Sequence, residues 1–408
     1  MPVAAPPSIE AVRAWFPALS AGFAYMDNAG GSQVPGCVAD AVRDYMLNTY
    51  VQIGGTYPAS RKATETVAEA HEMVNTLFGG EAAGKVIFGS SSSTLCRMLS
   101  DCYAEILKPE DEVVVAENGH EANVYPWLSL AARGLNIRLW EPDKETGRLS
   151  AATLKSLMND HTKLVAFPHV SNILGAIEDY RAFIDLAHQA GARVVLDSVA
   201  YAPHAALDVQ AWGVDWCLFS CYKVFGPHMG ALWGSDEALA ELTGRNHPFI
   251  RREDVPLKFE LGGVLHEGCA GLLALRSYFG FLAGQQDRFD RAIVKEAFAN
   301  AEQLERPLTK RLIEFLNTKP HTRIIGPATA GPERVGTVSF VHDLLSSEQI
   351  VEEVQKHGIG LKFGNFYSVR LLERLGLNPK DGVARVSFAH YNSPEELKRL
   401  IRALDPIL

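Results

Sequence analysis

Between about residues 80 and 235, short β-branched runs alternate with segments whose apolar residues recur every three or four positions; nothing else in the chain restricts its fold as much. The runs are VIF at 86–88, EVVVA at 112–116, KLVAF at 163–167, RVVLD at 193–197, WCLFS at 216–220 and GALWG at 230–234. AATLKSLMND and RAFIDLAHQAGA are two of the helical stretches between them. Such runs suit strands covered on both faces, so the rhythm predicts an α/β unit around a mostly parallel, buried sheet. In open sheets of this kind ligands bind beyond the carboxyl ends of the strands, which directs attention to the residues just after each run.

Past residue 285 the texture changes. A helix-like stretch from Asp287 to Thr318, a turn (IIGPATAGPERVG), a strand (GTVSFVH), a helix (SSEQIVEEVQKHG), a strand (ARVSFAH) and a last helix (SPEELKRLIRAL) follow without a βαβ rhythm. They predict a smaller α+β unit. The expected division is a large unit at 25–284 and a small one made of 1–24 with 285–408, for which 408 residues are ample.

The net charge of −9, with Lys and Arg scattered, removes the electrostatic basis for a nucleic-acid or membrane-surface partner. The most apolar window, AGLLALRSYFGFLAG, contains Arg276 and Ser277 and is too short for a membrane span. No basic segment followed by an unbroken apolar stretch opens the chain, so a cytoplasmic location is expected. The six cysteines form no CxxC pair and suit reduced, packed thiols rather than disulfides or a zinc site.

In WCLFSCYKVFGPHMGALWG, Lys223 follows a strand by three residues and precedes a Gly-Pro turn. At a cleft rim, burial and neighbouring cations lower a lysine's pKa and make its amine a Schiff-base nucleophile; the bland alternative is a solvated surface lysine. Asp197 ends the run RVVLD, 26 residues earlier, where a carboxylate can hold a pyridine nitrogen protonated or merely cap a turn. VIFGSSSSTLCRML joins Gly89 and the hydroxyls of Ser90 to Thr94 to a helix start, a phosphate cradle or an ordinary N-cap. His120 and Asn172 follow two further strands, suited to stack on a flat ring and to hydrogen-bond its hydroxyl. Arg385, on ARVSFAH, is either a carboxylate clamp or a surface ion pair.

With YMDNAG, HEANVYPW, PHVSNILGAI, VVLDSVA, FSCYKVFGP and RVSFAHYNSPEEL in this order, the chain resembles the class V aminotransferase group of pyridoxal-phosphate enzymes over nearly its whole length, and within it the cysteine desulfurases and selenocysteine lyases. The resemblance implies fold type I, with a mostly parallel seven-stranded sheet in a large domain and a smaller α+β C-terminal domain. It implies pyridoxal 5'-phosphate as cofactor, Lys223 as the Schiff-base lysine and Asp197 as the partner of the ring nitrogen. It further implies His120 stacked on the ring, Asn172 near the ring oxygen and substrate, and Arg385 on the substrate carboxylate. Phosphate contacts would fall on Ser92, Ser93 and Ser220, with amides from the Thr94 region, and YMDNAG would set Ala29 and Gly30 against the substrate. A homodimer is implied too, in which the GGVLHEG loop serves the partner's site.

The departures bear on the reaction. Where the desulfurases carry a mobile cysteine in a context like GHHCA, this chain has LKFGNFYSVRL, with Tyr367 near the expected position, and no cysteine follows Cys269. The family's glutamine after the ring aspartate is Ala200 here, its histidine before the lysine is Tyr222, and Gly263 stands nearest to its phosphate-binding threonine. The resemblance therefore implies an enzyme acting on a small amino acid by desulfurase-like β-elimination, a C–S or C–Se lyase without a persulfide cysteine. Lys223 and His120 would be catalytic, with Tyr367 or Tyr222 as the acid. A transaminase, an epimerase and a non-catalytic cofactor-binding interaction protein remain the alternatives.

Overall fold

All six runs lie in one sheet of the computed structural model, which describes residues 6–285 and 288–408. Asp287, where the sequence places the start of the long helix, lies outside the described residues. The strands are β1 (Gly84–Gly89), β2 (Glu112–Ala116), β3 (Asn136–Trp140), β4 (Thr162–Pro168), β5 (Arg193–Asp197), β6 (Trp216–Ser220) and β7 (Gly230–Ser235). Their order across the sheet is β1-β7-β6-β5-β4-β2-β3, parallel except for β7, which is antiparallel to both neighbours.

The apolar runs have the double-sided burial that their composition predicts. Val113 and Val115 enter one hydrophobic core while Val114 and Ala116 enter the other, and Val195 and Leu196 divide in the same way. Fully burying such side chains stabilises by about 1.5–3 kcal/mol each, so the sheet centre is the most secure part of the molecule. The edge strand β3, NIRLW, escaped the sequence reading because most of it is exposed and it carries no apolar run.

A second, antiparallel sheet comprises β8 (Thr322–Ile325), β9 (Thr337–His342), β10 (Lys362–Gly364) and β11 (Val383–Ser387), in the order β10-β11-β9-β8. Helices Arg291–Leu316, Ser347–Gln355 and Pro394–Leu404 supply Leu312, Ile350 and Leu400 to its core. The latter two begin with full capping boxes, Ser346 with Gln349 and Ser393 with Glu396. Residues near the N-terminus lie alongside: Ala24–Tyr25 pairs in parallel with Ile359–Gly360 as a separate two-stranded sheet, and Asp27 bridges to Ser387 of β11. The Asn28 side chain donates to Ser387 O at 2.8 Å and Asn392 Oδ1 at 3.0 Å, fixing this crossing beside the sheet's last strand. No helix among the described residues is long and apolar enough to cross a membrane.

Candidate active site

Seven of the residues singled out from the sequence meet in one cleft at the carboxyl ends of the central strands. It has about 520 Å³ of empty space, and Ser92, Ser93, His120, Asn172, Asp197, Ser220 and Lys223 line it together with Ala200 and Tyr222. Asp197 closes β5, where one carboxylate oxygen accepts the Val199 N–H at 2.9 Å. Burial raises its pKa, against the opposing pull of that bond and of the Lys223 charge. No cation among the described residues comes within ion-pair distance of this carboxyl, so a protonated ring nitrogen would supply the counter-charge that the chain itself omits.

Lys223 is delivered by a short 3₁₀ turn, Cys221–Lys223, that begins where β6 ends. Its pKa falls to about 8, chiefly through burial and then through the Arg385 charge, with Asp197 and Asp27 opposing. Phe225, two residues on, holds a left-handed backbone (φ 62°), with its ring 4.8 Å from that of His390. Non-glycine residues rarely keep this conformation unless the surroundings impose it, so the turn after the lysine is firmly set.

His120 caps the turn Glu121–Asn123, its Nδ1 accepting the Ala122 N–H at 3.0 Å, which leaves the proton of the neutral ring on Nε2. Burial, then the charges of Lys223 and Arg385, push its pKa down to about 4, so the ring stays neutral and flat.

The helix Ser92–Ile106 points its N-terminus at the cleft. Ser91 caps it by accepting the Thr94 N–H at 3.1 Å, leaving the Ser92 and Ser93 amides at the open end, while Ser92 Oγ lies 2.9 Å from Ser220 Oγ. A Cβ on Gly230 of β7 would sit 2.5 Å from Ser92 N, so the strand presses on the helix start as only glycine permits. Free amides, paired hydroxyls and the positive end of the helix dipole suit a phosphate dianion. These residues fit pyridoxal phosphate.

Arg385, on β11, does not line the cleft itself but comes from the second sheet to rest against Asn172, near enough for its charge to lower the pKa values of Lys223 and His120. Its Nη2 donates to Asp27 Oδ1 at 2.9 Å, its Nη1 donates to Asn172 O at 3.2 Å, and its buried Nε has no partner among the described residues. Asn172 lines the cleft, but its amide is engaged elsewhere: Nδ2 donates to Phe366 O and Oδ1 accepts from Ser368 Oγ, both at 2.9 Å. Ala29 and Gly30 stand beside the Asp27–Arg385 pair; the Ala29 N–H donates to Ser387 Oγ at 2.8 Å, and a Cβ on Gly30 would lie 2.9 Å from Asp27 Oδ2.

Tyr367 is 67% exposed with its ring 5.1 Å from that of His120, and Tyr222 stacks on His228 at 4.8 Å. Gly263 is not brought to Lys223 within this chain; it lines a separate cavity with Ser90, Thr94 and Leu261. Among the described residues no thiol lines the cleft, and the nearby Cys221 is buried with its pKa pushed up to about 12. The sequence reading passed over two residues, Asp27 and Phe366. Asp27 lay within the quoted YMDNAG, whereas nothing local marks Phe366.

The aminotransferase class-V model matches residues 24–400. Over 412 residues the chain is 38% identical to the aminotransferase-like protein FGM3 of Gibberella zeae, covering 98% of each. Over 419 residues it is 30% identical to a cysteine desulfurase of Dickeya dadantii, covering 98% of this chain and 96% of that one. The apo structure of cysteine desulfurase from Thermococcus onnurineus NA1 superimposes with a TM-score of 0.85 at 26% identity, over 100% of this chain and 99% of the other.

Proposed function

Because the chain belongs to the aminotransferase class-V family and is thereby a pyridoxal-phosphate-dependent enzyme, we propose that it removes a β-substituent from a small amino acid by a desulfurase-like elimination that uses no persulfide cysteine. The observation that carries this reading is a cleft in which Lys223 and Asp197 converge and which no thiol lines. In it Lys223 would hold the cofactor, Asp197 would keep the ring nitrogen protonated, His120 would stack on the ring, and Ser92, Ser93 and Ser220 would bind the phosphate. Pyridoxal phosphate, when bound, supplies an electron sink for the substrate's α carbon. Arg385 holds the substrate carboxylate. The Lys223 amine, its pKa lowered to about 8, takes the α-proton and is ready to return one. Neutral His120 adds no competing charge.

The test is to load the purified chain with cofactor, reduce it with borohydride and locate the modified residue. Fixation at Lys223, and loss of visible absorbance in Lys223→Ala, are expected; a colourless native chain would end this reading. Cysteine, cysteine sulfinate and selenocysteine are then assayed for keto acid, with sulfide measured from cysteine and selenide from selenocysteine. Turnover that depends on an added keto acid would make it a transaminase, and inversion at the α carbon an epimerase. Cofactor uptake without any turnover would make it a binding protein, and persulfide trapped on the chain would overturn the thiol-free route.

We further propose a cytoplasmic homodimer with residues 25–284 as the large unit and 1–24 with 285–408 as the small one. Six free cysteines suit a reducing compartment. The placing of Gly263 in a separate cavity, and the exposed Leu261 and Leu265 beside it, suit a loop that serves a second copy.

A further inference from the structure

The loop between β10 and the helix Val369–Arg374 turns one aromatic side chain inward and the next outward. Phe366 and Tyr367 are consecutive non-glycine residues in the left-handed region, at φ 48° and 59°. Four hydrogen bonds hold them there: Asn172 Nδ2 to Phe366 O at 2.9 Å, Ser368 Oγ to Asn172 Oδ1 at 2.9 Å, the Glu121 N–H to Tyr367 O at 2.8 Å and the Tyr367 N–H to Asn365 Oδ1 at 3.0 Å. Strain of this kind persists where surrounding contacts over-determine it, and it gathers at ligand clamps. Here its product is a flat contact, with the Arg385 guanidinium carbon 3.6 Å from the centre of the Phe366 ring.

That contact completes an inventory of the guanidinium. One face is covered by the ring, Nη1 is engaged by Asn172 O, Nη2 is engaged by Asp27, and Nε is buried without an acceptor. A buried charged donor without a partner is uncommon in folded chains and marks where an acceptor arrives. We propose that Phe366 is a specificity-determining residue: by roofing Arg385 it admits a planar carboxylate in the plane of the guanidinium and rejects a tetrahedral anion, whose extra oxygen would strike the ring. This rests on the reading of Arg385 as the substrate clamp. The ring also excludes water from that face, which strengthens the bond to the anion that does fit.

The experiment compares the native chain with Phe366→Leu, which keeps an apolar side chain but removes the flat face, and Phe366→Tyr, which restores it. Dissociation constants of alanine and 1-aminoethylphosphonate are read from their perturbation of the bound cofactor's spectrum. The native chain and Phe366→Tyr should prefer the carboxylate, and Phe366→Leu should lose about tenfold of that preference, mostly in KM rather than kcat on the true substrate. In a second arm the cofactor-free chains react with phenylglyoxal, and the modified arginines are mapped by mass spectrometry. Arg385 should react several-fold faster in Phe366→Leu than in the other two. If no amino acid perturbs the native spectrum, the proposed function falls and the phenylglyoxal arm alone decides the role of Phe366. Native-like anion preference in Phe366→Leu, or equal modification of Arg385 in all three chains, overturns the proposal.

Discussion

The two halves of the cleft are built in different ways. The half around Asp197, Lys223 and Ser92 hangs from the ends of strands in one sheet, each residue placed by the element immediately before it. The half around Arg385 is assembled across the molecule: Asp27 and Arg385 are 358 residues apart, Asn172 joins them from a third segment, and Phe366 comes from a strained loop. The first half owes its precision to a buried sheet, the second to a few polar bonds. Damage to the first should therefore appear in the chemistry, and damage to the second in substrate binding and local order.

The largest effect should come from the sheet side. Asp197→Asn should retain cofactor but lower kcat by roughly a hundredfold to ten-thousandfold, since the ring nitrogen loses its anionic partner. A change confined to KM would erase the contrast between the halves. Arg385→Lys should do the reverse, raising KM by roughly tenfold to a hundredfold with kcat nearly kept, because an ammonium cannot reproduce the flat fork. Asn172→Ala should be milder, costing about 1 kcal/mol of stability and a few-fold in KM while hydrogen exchange speeds up around residues 365–368. Exchange equally fast throughout the sheet would show that the loop is not a separate unit.

The smallest effect is a pH dependence. The folded pKa of Lys223, about 8, lies below its usual 10.5, so between these values the folded chain binds fewer protons than the unfolded one. The cofactor-free protein should accordingly gain stability as pH rises across that window, a slope that Lys223→Met removes. Cofactor uptake should rise through a midpoint near 8, with no inflection from His120, whose pKa of about 4 lies below the range.

The same contrast explains what could be read in the sequence. Strand runs such as VVVA and WCLFS announce themselves because burial on two faces demands unbroken apolar residues, and the residues after them inherit a position. That logic found Asp197, Lys223 and the serine cradle. It placed Asn172 at the cleft and suited its amide to a ring hydroxyl, but an amide after a strand can point either to a ring or to a loop, and here it holds the loop. The Arg385–Asp27 pair depends on two segments meeting across nearly the whole chain, which no local periodicity encodes. Phe366 is hidden for a related reason, because its role comes from an unusual backbone conformation rather than from its residue type.

The pairing of Ala24–Tyr25 with Ile359–Gly360, and of Asn28 with Ser387 and Asn392, sets an order of events during biosynthesis. Residues 24–28 are made well before residues 359–392, so Asp27 stays unmatched until Arg385 has been synthesised. A nascent chain halted before Val383 already holds Lys223 and every strand of the central sheet, yet it lacks Arg385, the partner of Asp27.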